Sequence, residues 1–273
     1  MSFIYAMSDM HGHFKILKET LQIIDLSSDN ENKLIFCGDY IGYGADSYKT
    51  LNLVKELTCS YPGQVYALTG NHEHMFLEFL SSTPNDIWNY EWLRADKELD
   101  TVRSFISNET INKILNLKIK CINEYTYFIK ISKVIKDDIL KRHADLIKWL
   151  KKLPYFHETQ KQIFVHAGID EEAGEYWKWG SENYYFCSKY PHSFGKFDKD
   201  IVAGHIGTCS IANNANYHSV FCDKQSHYYI DGSTVISGCI PVLKYDTDLD
   251  VYTSFEKKIT NDNVNEWHEY VIK

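Results

Sequence analysis

The chain predicts an α/β fold built on a largely parallel sheet. Apolar, β-rich runs alternate with helical stripes through the first part of the sequence, and polar loops beside glycine follow those runs. Phe3 to Met7 is the first strand, and Phe14, Leu17, Leu21 and Ile24 then recur at helical spacing. Leu34 to Cys37 is the second strand, followed by a stripe at Tyr48, Leu51, Val54 and Leu57. Val65 to Leu68 is the third. Strands separated by helices call for βαβ crossovers and parallel pairing. From about residue 84 to 153 the pattern is helical and rich in Lys, Asn and Ile, with Leu146, Ile147 and Leu150 giving its last helix a buried face. It reads as a helical insertion or cap within one domain spanning 1–273. The sheet pattern resumes at Ile163 to Val165 and at Ile201 to Ala203. Short runs at Tyr228 to Ile230, Ile240 to Tyr245 and Val251 to Phe255 predict an antiparallel second sheet packed on the first.

Composition narrows the function classes. Of the 273 residues, 44% are hydrophobic and 15% aromatic, enough for a sizeable core. The formal charge of -8 argues against broad binding to nucleic acid or an anionic membrane. Cations at a metal centre would still allow a phosphorylated substrate. The 7 cysteines form no CxxC pair, so reduced thiols are expected. Met1 leads straight into a strand without the basic segment and apolar stretch of a signal peptide, and no run reaches the ~18–20 apolar residues of a membrane span. A cytoplasmic protein without membrane contact is expected. Arginine occurs only at Arg94, Arg103 and Arg142.

Five short loops carry the chemistry: Ser8-Asp9-Met10-His11-Gly12, Gly38-Asp39, Gly70-Asn71-His72-Glu73, His166-Ala167-Gly168 and Gly204-His205. In open α/β sheets, ligands gather beyond the carboxyl ends of the strands, which is where most of these loops fall. Asp9, His11, Asp39, Asn71, His166 and His205 supply two carboxylates, one amide and three imidazoles, a donor set suited to two divalent transition-metal ions. Asp39 is the expected bridge, with Asp9 and His11 completing one site and Asn71, His166 and His205 the other. Two such ions lower the pKa of a bound water and stabilise both oxygens of a phosphoryl displacement. The expected reaction is therefore phosphate-ester hydrolysis through a metal-bridging hydroxide. His72 diverges from Asn71 and is the candidate acid for the leaving alkoxide. Each fragment alone is an ordinary turn; the ordered set is what specifies chemistry. His74, His143, His157, His192, His218, His227 and His268 are expected in surface or core roles, and His13 is ambiguous. The aromatic group Tyr176, Trp177, Trp179, Tyr184, Tyr185 and Phe186 is expected to pack.

At these motifs, and at Ile230-Asp231-Gly232-Ser233, the chain resembles the calcineurin-like metallophosphoesterases, and within them the bacterial PPP-type serine/threonine phosphatases, a branch that also contains symmetrical diadenosine tetraphosphate hydrolases. The resemblance implies a metallophosphoesterase-like β-sandwich of two mixed sheets flanked by helices. It also implies a binuclear centre, commonly manganese with iron or zinc as alternatives, and the ligand roles given above. The sequence departs from the family at Gly42-Tyr43-Gly44, where PPP phosphatases usually carry Asp-Arg-Gly. The family aspartate orients the catalytic histidine and the arginine clamps phosphate. Thr69 stands near another frequent arginine position, and Arg94-Ala95-Asp96-Lys97-Glu98 replaces a common Asn-Gly-Gly segment. Tyr43, Arg94 and Arg103 are accordingly candidate substrate contacts. The leading expectation is a phosphomonoesterase acting on a phosphoprotein or small phosphoester. The alternatives are a phosphodiesterase or dinucleoside polyphosphate hydrolase, and a catalytically weak regulatory metal-binding protein.

Overall fold

In the computed structural model, residues 2–83, 86–96, 99–180, 182–259 and 265–272 are described. Pro84, at the expected start of the insertion, and Lys97 and Glu98 lie outside these residues. The first βα repeats run β1 (Phe3–Met7), α1 (Phe14–Thr20), β2 (Lys33–Phe36), α2 (Ser47–Ser60), β3 (Val65–Ala67) and α3 (Asn71–Ser81). The stretch that follows is helical: α4 (Ile87–Ala95), α5 (Asp100–Phe105), α6 (Asn108–Lys120), α7 (Glu124–Arg142) and α8 (Ala144–Leu150). Ser107 and Asn123 start α6 and α7 by accepting from Thr110 N and Thr126 N, as short polar side chains do at helix N-termini. Among the described residues the chain then forms the strands β4 (Phe156–Glu158), β5 (Gln162–Val165), β6 (Asp200–Ala203), β7 (Phe221–Cys222), β8 (His227–Tyr229), β9 (Leu243–Asp246) and β10 (Val251–Ile259). The last strand is β11 (Asn265–Val271).

Among the described residues these strands form two mixed sheets, in the orders β11-β10-β9-β1-β2-β3 and β4-β5-β6-β8-β7. β1, β2 and β3 pair in parallel, as the alternation predicts. The tail corrects the expectation of a separate antiparallel sheet. β9 and β10 extend the first sheet, with β9 antiparallel to β1, whereas β8 runs parallel to β6 in the second. The second sheet is instead founded on the parallel pair β5–β6. A local apolar pattern reports strand formation but not which backbone groups a strand will pair with, and that pairing decides sheet membership. β4, β7 and β11 carry too little apolar alternation to be picked out from sequence.

Side-chain alternation explains why both faces of the parallel strands are apolar. Tyr5, Met7, Leu34 and Phe36 face the helices and share a buried cluster with Leu51, Phe76, Phe105, Ile131 and Ile147. Ile4, Ala6, Ile35 and Cys37 point the other way and meet Phe164, Val202 and Ile230 of the second sheet. Ile163, Val165, Ile201 and Ala203 line that sheet's outer face with Trp177 and Phe186. The aromatic group splits accordingly: Trp177 and Phe186 are core, whereas Tyr176 and Trp179 are exposed. All seven cysteines are free thiols. Among the described residues, no helix is long and apolar enough to cross a membrane.

His227 sits at the outer edge of this arrangement in a buried polar cluster. Its Nδ1 lies 3.0 Å from Asp223 and its Nε2 3.2 Å from Glu171, which also pairs with Lys189. Burial opposes a charge on His227, but the two carboxylates outweigh it and raise its pKa. Stability from a raised histidine is fully present below its unfolded value near ~6.5 and is lost as pH rises through the folded value. His227→Gln should therefore lower stability by roughly 1–3 kcal/mol at pH 6 and by clearly less at pH 9. Thermal or denaturant unfolding at the two pH values checks this, and an equal loss at both would contradict a charged His227.

Candidate metal centre

The parallel strands deliver the site residues to one rim. Asp9 and His11 follow β1, Asp39 follows β2, Asn71 opens α3 after β3, and His166 and His205 follow β5 and β6. Asp9, His11, Asp39 and His205 all have positive φ, at 57°, 44°, 55° and 68°. Non-glycine residues adopt this conformation only when their surroundings hold them there, a form of strain that clusters at functional sites.

Asp9 N and His11 N donate to the Gly38 and Asp39 carbonyls, His205 N donates to Asp9 Oδ2, and the Asp39 turn is held by Glu73. Its fully buried carboxylate accepts hydrogen bonds from Asp39 N (2.8 Å), Tyr40 N (2.8 Å), Ile41 N (3.2 Å) and Gly70 N (3.0 Å). Asp39 returns the link, its Oδ1 accepting from His72 N at 3.0 Å. The two loops are thereby locked together. Gly70 is required at their closest approach, because a Cβ there would lie 2.1 Å from Asp39 Oδ1. Sequence reading quoted Glu73 but gave it no role; a glutamate three residues after a helix N-cap is the available signal.

Every predicted ligand arrives at the same place. His166 Nε2 is 2.8 Å and His205 Nδ1 3.1 Å from Asn71 Oδ1. His166 Nε2 is also 3.5 Å from Asp39 Oδ2, and His11 Nε2 lies 3.7 Å from that oxygen and 3.6 Å from Asp9 Oδ1. The far nitrogens of His11 and His166 meet the Ile41 and Cys37 carbonyls at 3.0 and 2.8 Å. Those carbonyls fix the N–H outward and leave the inner nitrogen as a lone-pair donor, the usual support of a metal-ligating histidine. Two groups, Asp9-Asp39-His166 and His11-Asp39-His72, bring potential ligand atoms within 4.8 Å of one another. Asp39 is common to both, as a bridge would be. His11 also stands beside Asp9, and His166 and His205 both stand beside Asn71.

The electrostatics also fit cations. Burial and the charge of Asp9 push Asp39 and Asp231 upward, and burial with the charge of Asp39 pushes Glu73 up to about 7. Burial acts to raise Asp9 as well, but its hydrogen bond with His11 and the nearby imidazoles hold it low. Burial opposes the charge on His11, yet Asp9 and Asp39 lift it to about 10. Among the described residues no lysine or arginine pairs with Asp9, Asp39 or Asp231. Buried acids so crowded favour a cationic occupant, and the oxygen and nitrogen donors match divalent transition metals. Asp231, buried beside this cluster, had been quoted in sequence only as part of a late turn.

His72 lies at the edge of the group, its Nε2 3.9 Å from Asp39 Oδ2. Burial and the facing imidazoles lower it to about 3. Its ring stands 4.7 Å from His11 and 5.1 Å from Tyr43, which also packs on His11 at 5.0 Å. No aspartate could occupy position 42 in this arrangement: φ is +98° and a Cβ would lie 2.4 Å from His72 Nδ1. The rings of His11 and Tyr43 pack against His72 from that side.

A cavity of about 950 Å³ opens beside His72 and Tyr43 and runs beneath α4 and α5. Arg94 and Arg103 are not among the residues lining it. Arg94 is exposed and lies over the Tyr90 ring at 5.9 Å, and Arg103 is also exposed. Sequence placed both on the insertion but not on its inward face, which depends on helix phase. His13 and His74 each keep a buried ring nitrogen without a hydrogen-bond partner among the described residues.

Residues 4–209 match the family model of the calcineurin-like phosphoesterases. The chain is 28% identical over 167 residues to a symmetrical bis(5'-nucleosyl)-tetraphosphatase of Wigglesworthia glossinidia brevipalpis, a match covering 60% of this chain and 44% of that protein. It is 37% identical over 72 residues to a serine/threonine-protein phosphatase of Candida albicans, covering 26% and 23% respectively. The chain thus matches less than half the length of these curated relatives. A cold-active protein-tyrosine phosphatase of a psychrophilic Shewanella species superposes with a TM-score of 0.55 at 17% identity, over 97% of this chain and 80% of that one, which shows a shared fold.

Glu73→Gln should replace an acceptor facing four N–H groups with an amide that presents its own donors. A loss of roughly 2–4 kcal/mol in unfolding free energy is expected, with metal stoichiometry below that of the parent. Chemical denaturation and elemental analysis check both; unchanged stability and metal content would show that the two loops hold without this carboxylate.

Proposed function

Because the chain belongs to the calcineurin-like phosphoesterase family, we propose that it is a metal-dependent hydrolase of phosphate monoesters, using two divalent ions. Manganese is the favoured metal, with iron or zinc as alternatives. The observation that carries this reading is the position of Asp39, whose carboxylate is shared by both potential ligand groups, while Asn71 and His72 beside it line the cavity. Bound there, the ions would lower the pKa of water towards ~7 and neutralise charge on the phosphate oxygens.

The chain's own residues do the rest. Asp9, His11, Asp39, Asn71, His166 and His205 form the proposed ligand set. Carbonyl contacts preset His11 and His166, so little reorganisation is needed when the site fills. His72 lines the cavity, where it donates the proton that the leaving alkoxide needs. Tyr43 and His11 keep its ring in place. Free cysteines suit a reducing compartment, and a cytoplasmic location is proposed.

A second reading, phosphodiester hydrolysis, draws on one observation: among the described residues no lysine or arginine lines the cavity, so those residues offer no clamp of the kind that usually meets a dianion. Manganese-loaded protein should hydrolyse p-nitrophenyl phosphate faster than bis-p-nitrophenyl phosphate near neutral pH, and the reverse order would favour the diester reading. His72→Ala should keep both metals and lose roughly 10²–10⁴-fold in kcat, more with poor leaving groups than with good ones. Equal loss across leaving groups would remove His72 from proton donation.

A further inference from the structure

Two surfaces outside the metal centre complement each other. The first is an aromatic knob with acidic flanks. The segment after the His166 loop carries Asp170, Glu171, Glu172 and Glu175 ahead of Tyr176, Trp177 and Trp179. Trp177 is buried and packs on Phe156 at 4.9 Å and Phe186 at 6.0 Å, which anchors the segment. Trp179 N and Gly180 N both donate to Tyr176 O at 2.9 Å, closing a turn that leaves Tyr176 70% and Trp179 77% exposed. The nearby cations are already engaged, Lys178 by Glu158 and Lys189 by Glu171. Glu172 and Glu175 are exposed and have no ion pair among the described residues. The second surface is a groove of about 430 Å³ where α7 gives way to α8. Leu140, Ala144 and Ile147 supply its apolar lining, and Lys148, Lys151 and Lys152 supply its charge. These three lysines are exposed and have no ion pair among the described residues. On a chain of formal charge -8, residues 140–152 hold Lys141, Arg142, Lys148, Lys151 and Lys152 against the single acid Asp145.

We propose that the aromatic knob of one copy of the chain seats in the lysine-lined groove of a second copy. The Trp179 ring covers the apolar lining, and Glu172 and Glu175 meet the lysines around it. Each surface supplies what the other lacks: a projecting apolar group for a recess, and free carboxylates for free ammonium groups. A knob that fits a pocket elsewhere on the same chain makes a heterologous contact between copies. The aromatic anchor provides most of the attraction, as large rings do at interface centres. The ion pairs at the rim add little affinity but set orientation and make the contact salt-sensitive. A contact confined to one knob and one groove belongs with the small, reversible interfaces. An anionic bilayer suits the groove less well, because it takes up projecting apolar side chains, whereas Ile147 here is buried in the recess.

Sedimentation velocity of the full chain over a concentration series tests this. The parent should associate reversibly, and about 0.5 M sodium chloride should weaken the association constant roughly threefold to tenfold by screening the rim charges. Trp179→Ala should weaken it about tenfold or more, the usual cost of losing a central aromatic anchor. A groove variant, Lys148→Glu with Lys151→Glu, should stay monomeric alone, because its knob and groove then carry like charge. A knob variant, Glu172→Lys with Glu175→Lys, should stay monomeric for the same reason. An equal mixture of these two variants should associate again, since the acidic knob of the first meets the basic groove of the second. All of these substitutions alter exposed side chains, and thermal unfolding with the parent's midpoint separates a lost contact from a lost fold. A parent that stays monomeric up to about 1 mM would overturn the proposal. So would association that Trp179→Ala leaves unmoved, or a mixture of the two charge variants that stays monomeric. Binding of a monomeric parent to phosphatidylserine vesicles would overturn it in favour of a lipid surface.

Discussion

One buried carboxylate holds the site together. Glu73 gathers four backbone N–H groups from the Asp39 loop and the start of α3, and so sets the distance between Asp39, Asn71 and His72. Burying such a charge is costly in isolation, and an isolated glutamate here would simply take up a proton. Four donors aimed at its two oxygens offset that cost. The same contacts stabilise the positive φ of Asp39, a conformation this residue would not keep in a free loop. The other loops are tied to this one by backbone bonds from Asp9 N and His11 N to the Gly38 and Asp39 carbonyls, and by His205 N donating to Asp9 Oδ2.

Topology supplies the second constraint. The first sheet contributes its parallel strands β1, β2 and β3, the second its parallel strands β5 and β6, and the carboxyl ends of all five lead into the loops that carry the candidate ligands. Packing through Ile4, Ala6 and Ile35 against Phe164 and Val202 brings the two rims together. Antiparallel strands are added on the side of β1 away from β2 and on the outer edges of the second sheet, where they widen the sheets without disturbing the rim. The insertion joins the helical core through residues such as Leu93, Phe105 and Ile131, and thereby walls the cavity.

The parts legible in sequence were those encoded locally. Asp9, His11, Asp39, Asn71, His166 and His205 could be named because each lies beside a glycine in a turn, most of them directly after an apolar strand. The first three strands and their helices were equally clear, since both periods are local. What escaped depends on distant partners. Of the tail strands, β9 and β10 were assigned to the wrong sheet, because β9 pairs with β1 more than two hundred residues away. Arg94 and Arg103 were placed on the insertion, yet only packing decides which helix face reaches the cavity. The work of Tyr43, a ring packed on His11 and His72 rather than a substitute charge, required knowing that Gly42 leaves no room beside His72.

The most direct measurement is anomalous X-ray diffraction from crystals soaked in manganese. Two peaks about 3.5–4 Å apart, with Asp39 touching both and His72 outside the coordination of either, are the expected result. A single peak, no peak, or a metal held by His72 would contradict a binuclear centre with a separate proton donor.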